Sequence, residues 1–184
     1  MPVPGMPPRA RVAAIARSEV AQTARSEVAQ TARSEIAQTA RSEIVALARA
    51  WIGTPYRHQA SLRGVGTDCL GLVRGVWREL YGAEPAAIPG YARDWGDASG
   101  CESLLEGARA HFTEIAPADA RPGDLLLFRW RRDCVAKHAA ILATPVTMIH
   151  AVEGRRVVEV HVVAWWRRRI AAAFAFPALP GLDT

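Results

Sequence analysis

The chain has 184 residues, with 23 Lys and Arg against 18 Asp and Glu for a formal net charge of +5, and half of its residues are hydrophobic. That length supports one substantial core with an appendage instead of several domains, and the basic balance favours anionic partners without choosing among nucleic acid, membrane surface and bacterial wall polymer. No apolar run approaches the ~20 residues that span a bilayer, and the widely spaced Cys69, Cys101 and Cys134 make a poor disulfide framework, so at least one thiol is expected to be free.

Residues 1–11 hold Pro2, Pro4, Pro7 and Pro8 and lack the charged start and apolar stretch of a secretory signal, so synthesis in the cytoplasm is expected. Residues 16–23, 24–31 and 32–39 are nearly identical, and a fourth copy begins at Ala40. Ala, Arg, Glu and Gln favour helix, and no Gly or Pro interrupts residues 10–51, which predicts one long helix. Eight residues advance a helix by about 80° beyond two full turns, so Val20, Val28, Ile36 and Ile44 spiral around it instead of forming a coiled-coil seam. Residues 1–43 are accordingly expected as a helical extension and 44–180 as the folded domain.

Gly53 and Pro55 end this helix, and residues 56–67 form a polar loop punctuated by glycine. A second helix is predicted to start near Asp68, because Cys69, Leu72, Val73, Val76 and Leu80 recur at helical spacing. Gly71 and Gly75 leave a smooth strip on it where another element can approach. A loop over 82–100 leads to a third helix over 102–112. From Pro122 the pattern is β, with strands expected over 125–130, 136–143, 146–152, 156–163 and 170–176. Helices first and strands after predict an α+β fold with an antiparallel sheet.

Cys69, directly after Asp68 at a helix start, sits where the helix dipole and unpaired amides stabilise a thiolate. His138 falls in a strand whose same-face neighbours, Ala136 and Ala140, leave room for a helix end. A turn centred on Thr144 and Pro145 would set His138 directly opposite His150. Thiol, base and a group to orient the base are what nucleophilic catalysis by cysteine requires. Ionisation of that pair is then expected to shape the rate between about pH 5 and 8.

Gly53, Thr54, Pro55 and Tyr56, then Asp68, Cys69, Leu70, Gly71 and Leu72, then Pro122, Gly123, Asp124 and Leu125 ahead of the His138 strand, resemble the NlpC family of papain-like cell-wall peptidases. The resemblance covers about residues 44–177. It implies a helix opened by the nucleophile and packed on a small antiparallel sheet, with Cys69 as nucleophile, His138 as base and His150 as orienter. It also implies substrate contact or oxyanion support from Tyr56 and Asp68, and no cofactor or metal. The substrate implied is the peptidoglycan stem peptide, cut between γ-D-glutamate and diaminopimelate. Leu70 stands where the family usually has Ser, and Lys137 where it usually has Gly before the base. The ending from Trp165 through Arg169 to Pro177 looks most like the branch found in phage and gene-transfer-particle tail clusters, which implies tail-hub or tail-tip partners and action at the wall from a tail.

Rival readings remain. Cys134, His138 and His150 offer zinc ligand types without a complete set. An N-acetylmuramoyl-L-alanine amidase would use the same triad, and an inactive tail component would share the fold. Arg129, Arg131 and Arg132 around Trp130, and Arg167 to Arg169 after Trp165 and Trp166, interleave as in nucleic-acid binders, but no nucleic-acid motif accompanies them and no specific nucleic-acid partner is expected. His58, His111 and His161 read as ordinary surface or loop residues.

Overall fold

Helix α1 runs over Pro8–Ala50, as expected for a segment of strong helix formers without an internal Gly or Pro. The computed structural model describes residues 8–92 and 100–180, with the backbone alone for 8–21, 23 and 24. Most of the proline-rich start, part of the loop read over 82–100, and residues 181–184 lie outside the described residues. The chain divides into two units, one ending at Thr39 and one beginning at Ala40. In the first, Val28 is 70% exposed, and no fixed apolar stripe runs along the described side chains.

In the second unit, α1 ends by burying Ile44, Val45 and Ala48, followed by Trp51, against Leu72 and Val76 of helix α2 (Cys69–Tyr81) and Ile141 and Ile149 of the sheet. Between the helices, the short strands β1 (Ser61–Leu62) and β2 (Gly66–Thr67) pair in a small hairpin. Helix α3 (Ser103–His111) buries Leu104, Leu105 and Ala108. The main sheet contains β3 (Thr113–Ile115), β4 (Leu125–Phe128), β5 (His138–Thr144), β6 (Thr147–Ala151), β7 (Val157–His161) and β8 (Ile170–Ala175). Its order is β3-β8-β4-β5-β6-β7, antiparallel throughout. A short helix, α4 (Ala164–Arg167), precedes β8.

The five predicted strands are present as β4 to β8. Strand β3 and the Trp-bearing α4 were not anticipated, since three or four residues are too few to show a period.

Two local devices fix the frame. Gly123, at φ 93°, turns the chain so that its amide bonds the Leu142 carbonyl, and the Leu142 amide returns to the Asp124 carbonyl. The Asp124 carboxylate accepts from the Arg121 amide and from Arg41 near the end of α1, which sets where β4 enters beside β5. On α2, the glycine strip is filled from both sides: a Cβ on Gly71 would lie 1.9 Å from the Ala60 carbonyl oxygen, and one on Gly75 2.0 Å from the Trp51 ring. Trp51 is 2% exposed and donates its indole N–H to Glu79, so it has little freedom to yield. Gly75→Ala is therefore expected to destabilise the domain by roughly 2–3 kcal/mol through overpacking, read as a lower denaturant midpoint with an unchanged slope.

Candidate active site

Asp68 caps α2. Its Oδ1 accepts from the Gly71 amide at 2.7 Å, while Oδ2 accepts from the Gln59 amide at 2.7 Å and the Tyr91 hydroxyl at 2.6 Å. Gln59 holds a left-handed φ of 63°, a strained conformation for a non-glycine residue, with its N–H on this carboxylate. His58 adds its Nδ1 at 3.6 Å from Oδ2 and bonds the Tyr91 carbonyl through Nε2 at 2.8 Å. Asp68, only 2% exposed, thus ties together the start of α2, the loop before it and Tyr91.

Cys69 follows as the first residue of α2. Its thiol lies against the backbone on both sides of His138, 3.9 Å from the Lys137 carbonyl that accepts the S–H, and near the Ala139 amide. Burial pushes the thiol up to about 11 and the Asp68 charge adds to the rise, while the amides of Ala139, Leu70 and Cys69 pull it down. Withdrawal of the sulfur from water thus works against the thiolate that the helix start favours.

His138 opens β5 and His150 lies in β6, both buried. Nε2 of His138 is 2.8 Å from Nδ1 of His150, with the rings edge to face at 80°. The expected register needs correction. Ile141 pairs with Ile149 and Leu142 with Met148, so the ladder is displaced by two residues from one that sets the histidines directly opposite. The turn through Pro145 and Val146, with Thr144 Oγ1 accepting from the Thr147 amide, pairs Thr144 with Thr147, and a bulge between Leu142 and Thr144 then brings the strands to that register. A shift of two residues keeps every side chain on its face, so the rings meet along a diagonal instead.

Two tryptophan rings lie nearly parallel to His138: Trp130 at 5.9 Å and 24°, and Trp166 at 5.6 Å and 26°. Trp166 also meets His150 edge to face at 5.3 Å. Burial pushes His138 down to about 3, helped by His150, and pushes His150 down to about 4. Both rings therefore rest neutral, each pairing a donor nitrogen with an acceptor.

These groups border one cleft of about 350 Å³, which brings together Tyr56, Asp68, Cys69, His138 and His150. Tyr56 is placed by the turn before it, where the Gly53 amide bonds the Val157 carbonyl and the Tyr56 amide bonds the Arg155 carbonyl. The lining also includes Tyr91, His58, Trp130, Trp165 and Trp166, none of which the sequence reading put there. Tyr91 and the tryptophans lie in segments without a period. His58, read as an ordinary loop residue, belongs to the cleft wall instead. Among the described residues, the lining includes neither Cys101 nor Cys134, and no three His, Cys, Asp or Glu side chains converge as metal ligands. No disulfide links the three cysteines.

The family model described as the NlpC/P60 family matches residues 53–174. The chain belongs to the NlpC/P60 family. That family comprises peptidoglycan hydrolases of the cysteine peptidase type. Among solved structures, the NlpC/p60 domain of the peptidoglycan hydrolase SagA is 28% identical over 74% of this chain and 98% of that one, with a TM-score of 0.51. An NlpC/P60 family protein from Bacillus cereus ATCC 10987 is 21% identical over 76% of this chain, at a TM-score of 0.53, and only 40% of its length is spanned. The P60 domain of an antigen from M. avium paratuberculosis is 16% identical over 79% of this chain and 98% of that one, at a TM-score of 0.52. The last two are likenesses of fold. No curated protein matches the chain.

In this NlpC/P60 domain the neutral histidines predict a pH dependence of stability. Unfolded, each takes a proton near its ordinary value of about 6.5; folded, each resists until about 4 or 3. Between those values the unfolded chain binds more protons, so stability falls as pH falls. From pH 6.5 to 4.5 the loss is expected to be on the order of 2 kcal/mol per buried ring. Denaturant midpoints at the two pH values check this, with His150→Asn expected to reduce the difference.

Proposed function

We propose that this chain is a cysteine endopeptidase of bacterial peptidoglycan, cutting the stem peptide between γ-D-glutamate and diaminopimelate. The observation that carries this reading is the meeting of Cys69, at the first turn of α2, with the bonded His138–His150 pair in one cleft of an NlpC/P60 domain. The likeness to a domain described as belonging to a peptidoglycan hydrolase supports the substrate class.

The chemistry follows from the hydrogen bond between the two imidazoles. His138 uses Nε2 on His150, which leaves Nδ1 as the nitrogen to take the thiol proton. For that, Nε2 carries hydrogen and donates to Nδ1 of His150, which remains a neutral acceptor before and after the transfer. The sulfur attacks the γ-carbonyl as the proton leaves it, so no standing thiolate is needed. Amides near the thiol, those of Leu70 and Ala139 among them, are candidate donors to the oxyanion. His138 then protonates the departing amine and activates water to release the acyl group. Across about pH 5.5 to 8 the rate is expected to stay nearly flat, since both rings titrate below that window and the thiol above it.

With Leu70 in place of the usual serine, stem peptides still joined to glycan are accepted as substrates. The same reading puts the enzyme in a tail tip of a phage-like particle, supported by the resemblance of residues 165–177 to tail-cluster members. Fragment mass analysis after digestion of intact and amidase-treated peptidoglycan tests the bond. Cleavage at γ-D-glutamyl-diaminopimelate in both samples is expected. Fragments cut only between muramic acid and L-alanine would make the enzyme an amidase, and cleavage only after glycan removal would defeat the role given to Leu70.

A further inference from the structure

A second groove of about 430 Å³ shares Trp130 with the cleft and is otherwise lined by Arg129, Arg131, Arg132, Arg168 and Arg169, with Ile170 and Ala171. Sheet topology accounts for the clustering. His138, Phe128 and Ile170 form one row across β5, β4 and β8, so the arginines after Phe128 and before Ile170 gather at the same sheet end as the imidazole. With strands ~4.8 Å apart, that row spans about 10 Å, the length of about three residues of extended peptide.

The groove is built, with its wall held by one of its own arginines. Arg169 donates through Nε to the Trp130 carbonyl at 3.1 Å and through Nη1 to the Trp165 carbonyl at 3.0 Å, and its guanidinium lies 3.9 Å from the centre of the Trp165 ring. Arg129 is held by Glu102 at 3.0 Å, while Arg131 and Asp133, 3.9 Å apart, are both well exposed. Arg132 and Arg168 are exposed residues of the groove lining.

We propose that this arginine groove is a subsite for a carboxylate on the amine half of the peptide substrate. This rests on the proposed peptidase reading for the identity of the substrate. Because His138 hands its proton to the departing amine, the tryptophan wall stacked on that imidazole borders the amine half. A guanidinium pairs with a carboxylate through parallel N–H bonds that an amide cannot reproduce. The chemical class is therefore a short peptide whose leaving half bears free carboxylates, such as diaminopimelate followed by D-alanine.

Equilibrium binding to the full chain carrying Cys69→Ala tests this without requiring turnover. The probes are diaminopimelyl-D-alanine with free carboxylates, the same dipeptide with its carboxylates amidated, and a single-stranded oligonucleotide. The acid is expected to bind about tenfold more tightly than the amide. That preference should vanish in Arg132→Gln/Arg168→Gln and shrink as salt is raised. Equal binding of acid and amide overturns the proposal, and because that comparison is made on the native groove it stands whatever the double variant does. An oligonucleotide that binds more tightly than the acid, and loses that advantage in the double variant, would assign the groove to nucleic acid and overturn it as well. Acid-selective binding by Cys69→Ala, with the wild-type chain leaving peptidoglycan uncut, would sink the hydrolysis reading while supporting the subsite.

Discussion

Cys69→Ala is expected to lower turnover of peptidoglycan fragments by at least about 10⁴-fold, because without the sulfur no acyl-enzyme forms and only binding and the oxyanion donors remain. The fold should survive. The cap of α2 is made by Asp68 instead of the thiol, and the thiol's bond to the Lys137 carbonyl is long, at 3.9 Å. Cys101→Ala and Cys134→Ala, at positions outside the cleft lining, should retain turnover within about twofold, as surface changes away from the chemistry usually do. A comparable loss from Cys134→Ala would move the nucleophile.

His138→Ala is expected to cost about 10³–10⁴-fold in kcat, since it removes both the acceptor of the thiol proton and the donor to the leaving amine. The thiol, held up at about 11, cannot compensate by ionising unaided at neutral pH. His150 acts through His138, so His150→Ala should cost less, on the order of 10–100-fold. Here the structure makes a sharper distinction. His150 serves as a neutral acceptor at 2.8 Å, so His150→Asn, which keeps an acceptor oxygen, should recover part of the loss, while His150→Leu should not. Full activity in His150→Leu would remove the orienting role, and Trp166, stacked on His138, would then be left to hold the ring.

The likeness between sequence and structure is uneven for physical reasons. The α2 helix and the five strands β4 to β8 were legible because each carries a hydrophobic period or an apolar run bounded by Gly, Pro or Asp. The glycine strip on α2 was legible as a close approach, although nothing in the sequence says that Trp51 and the Ala60 carbonyl make it. Register was not legible to the residue. It depends on the turn through Pro145 and Val146, held by the Thr144 hydroxyl on the amides of Val146 and Thr147, and on the bulge between Leu142 and Thr144. Face survived that error because turn and bulge together displace the ladder by two residues, an even number.

The surroundings of the candidate site were the least legible. The arginine and tryptophan clusters look in sequence like a surface for nucleic acid, whereas two of those tryptophans dehydrate a histidine. Tyr91 sits 23 residues from the carboxylate it bonds, in a loop with no pattern to place it. The direction of the Cys69 shift was likewise out of reach. A helix start alone argues for a lowered value, and only the packing above it reveals the burial that reverses the sign.

The central claim, that Cys69 carries the acyl group between His138 and the cleft amides, is tested most directly by acid quench of the protein during turnover, followed by intact and peptide mass spectrometry. The expected result is an added mass equal to the acyl half of the substrate, located on Cys69 and lost on treatment with hydroxylamine. Continued turnover with no adduct, or an adduct on Cys101 or Cys134 instead, would contradict it.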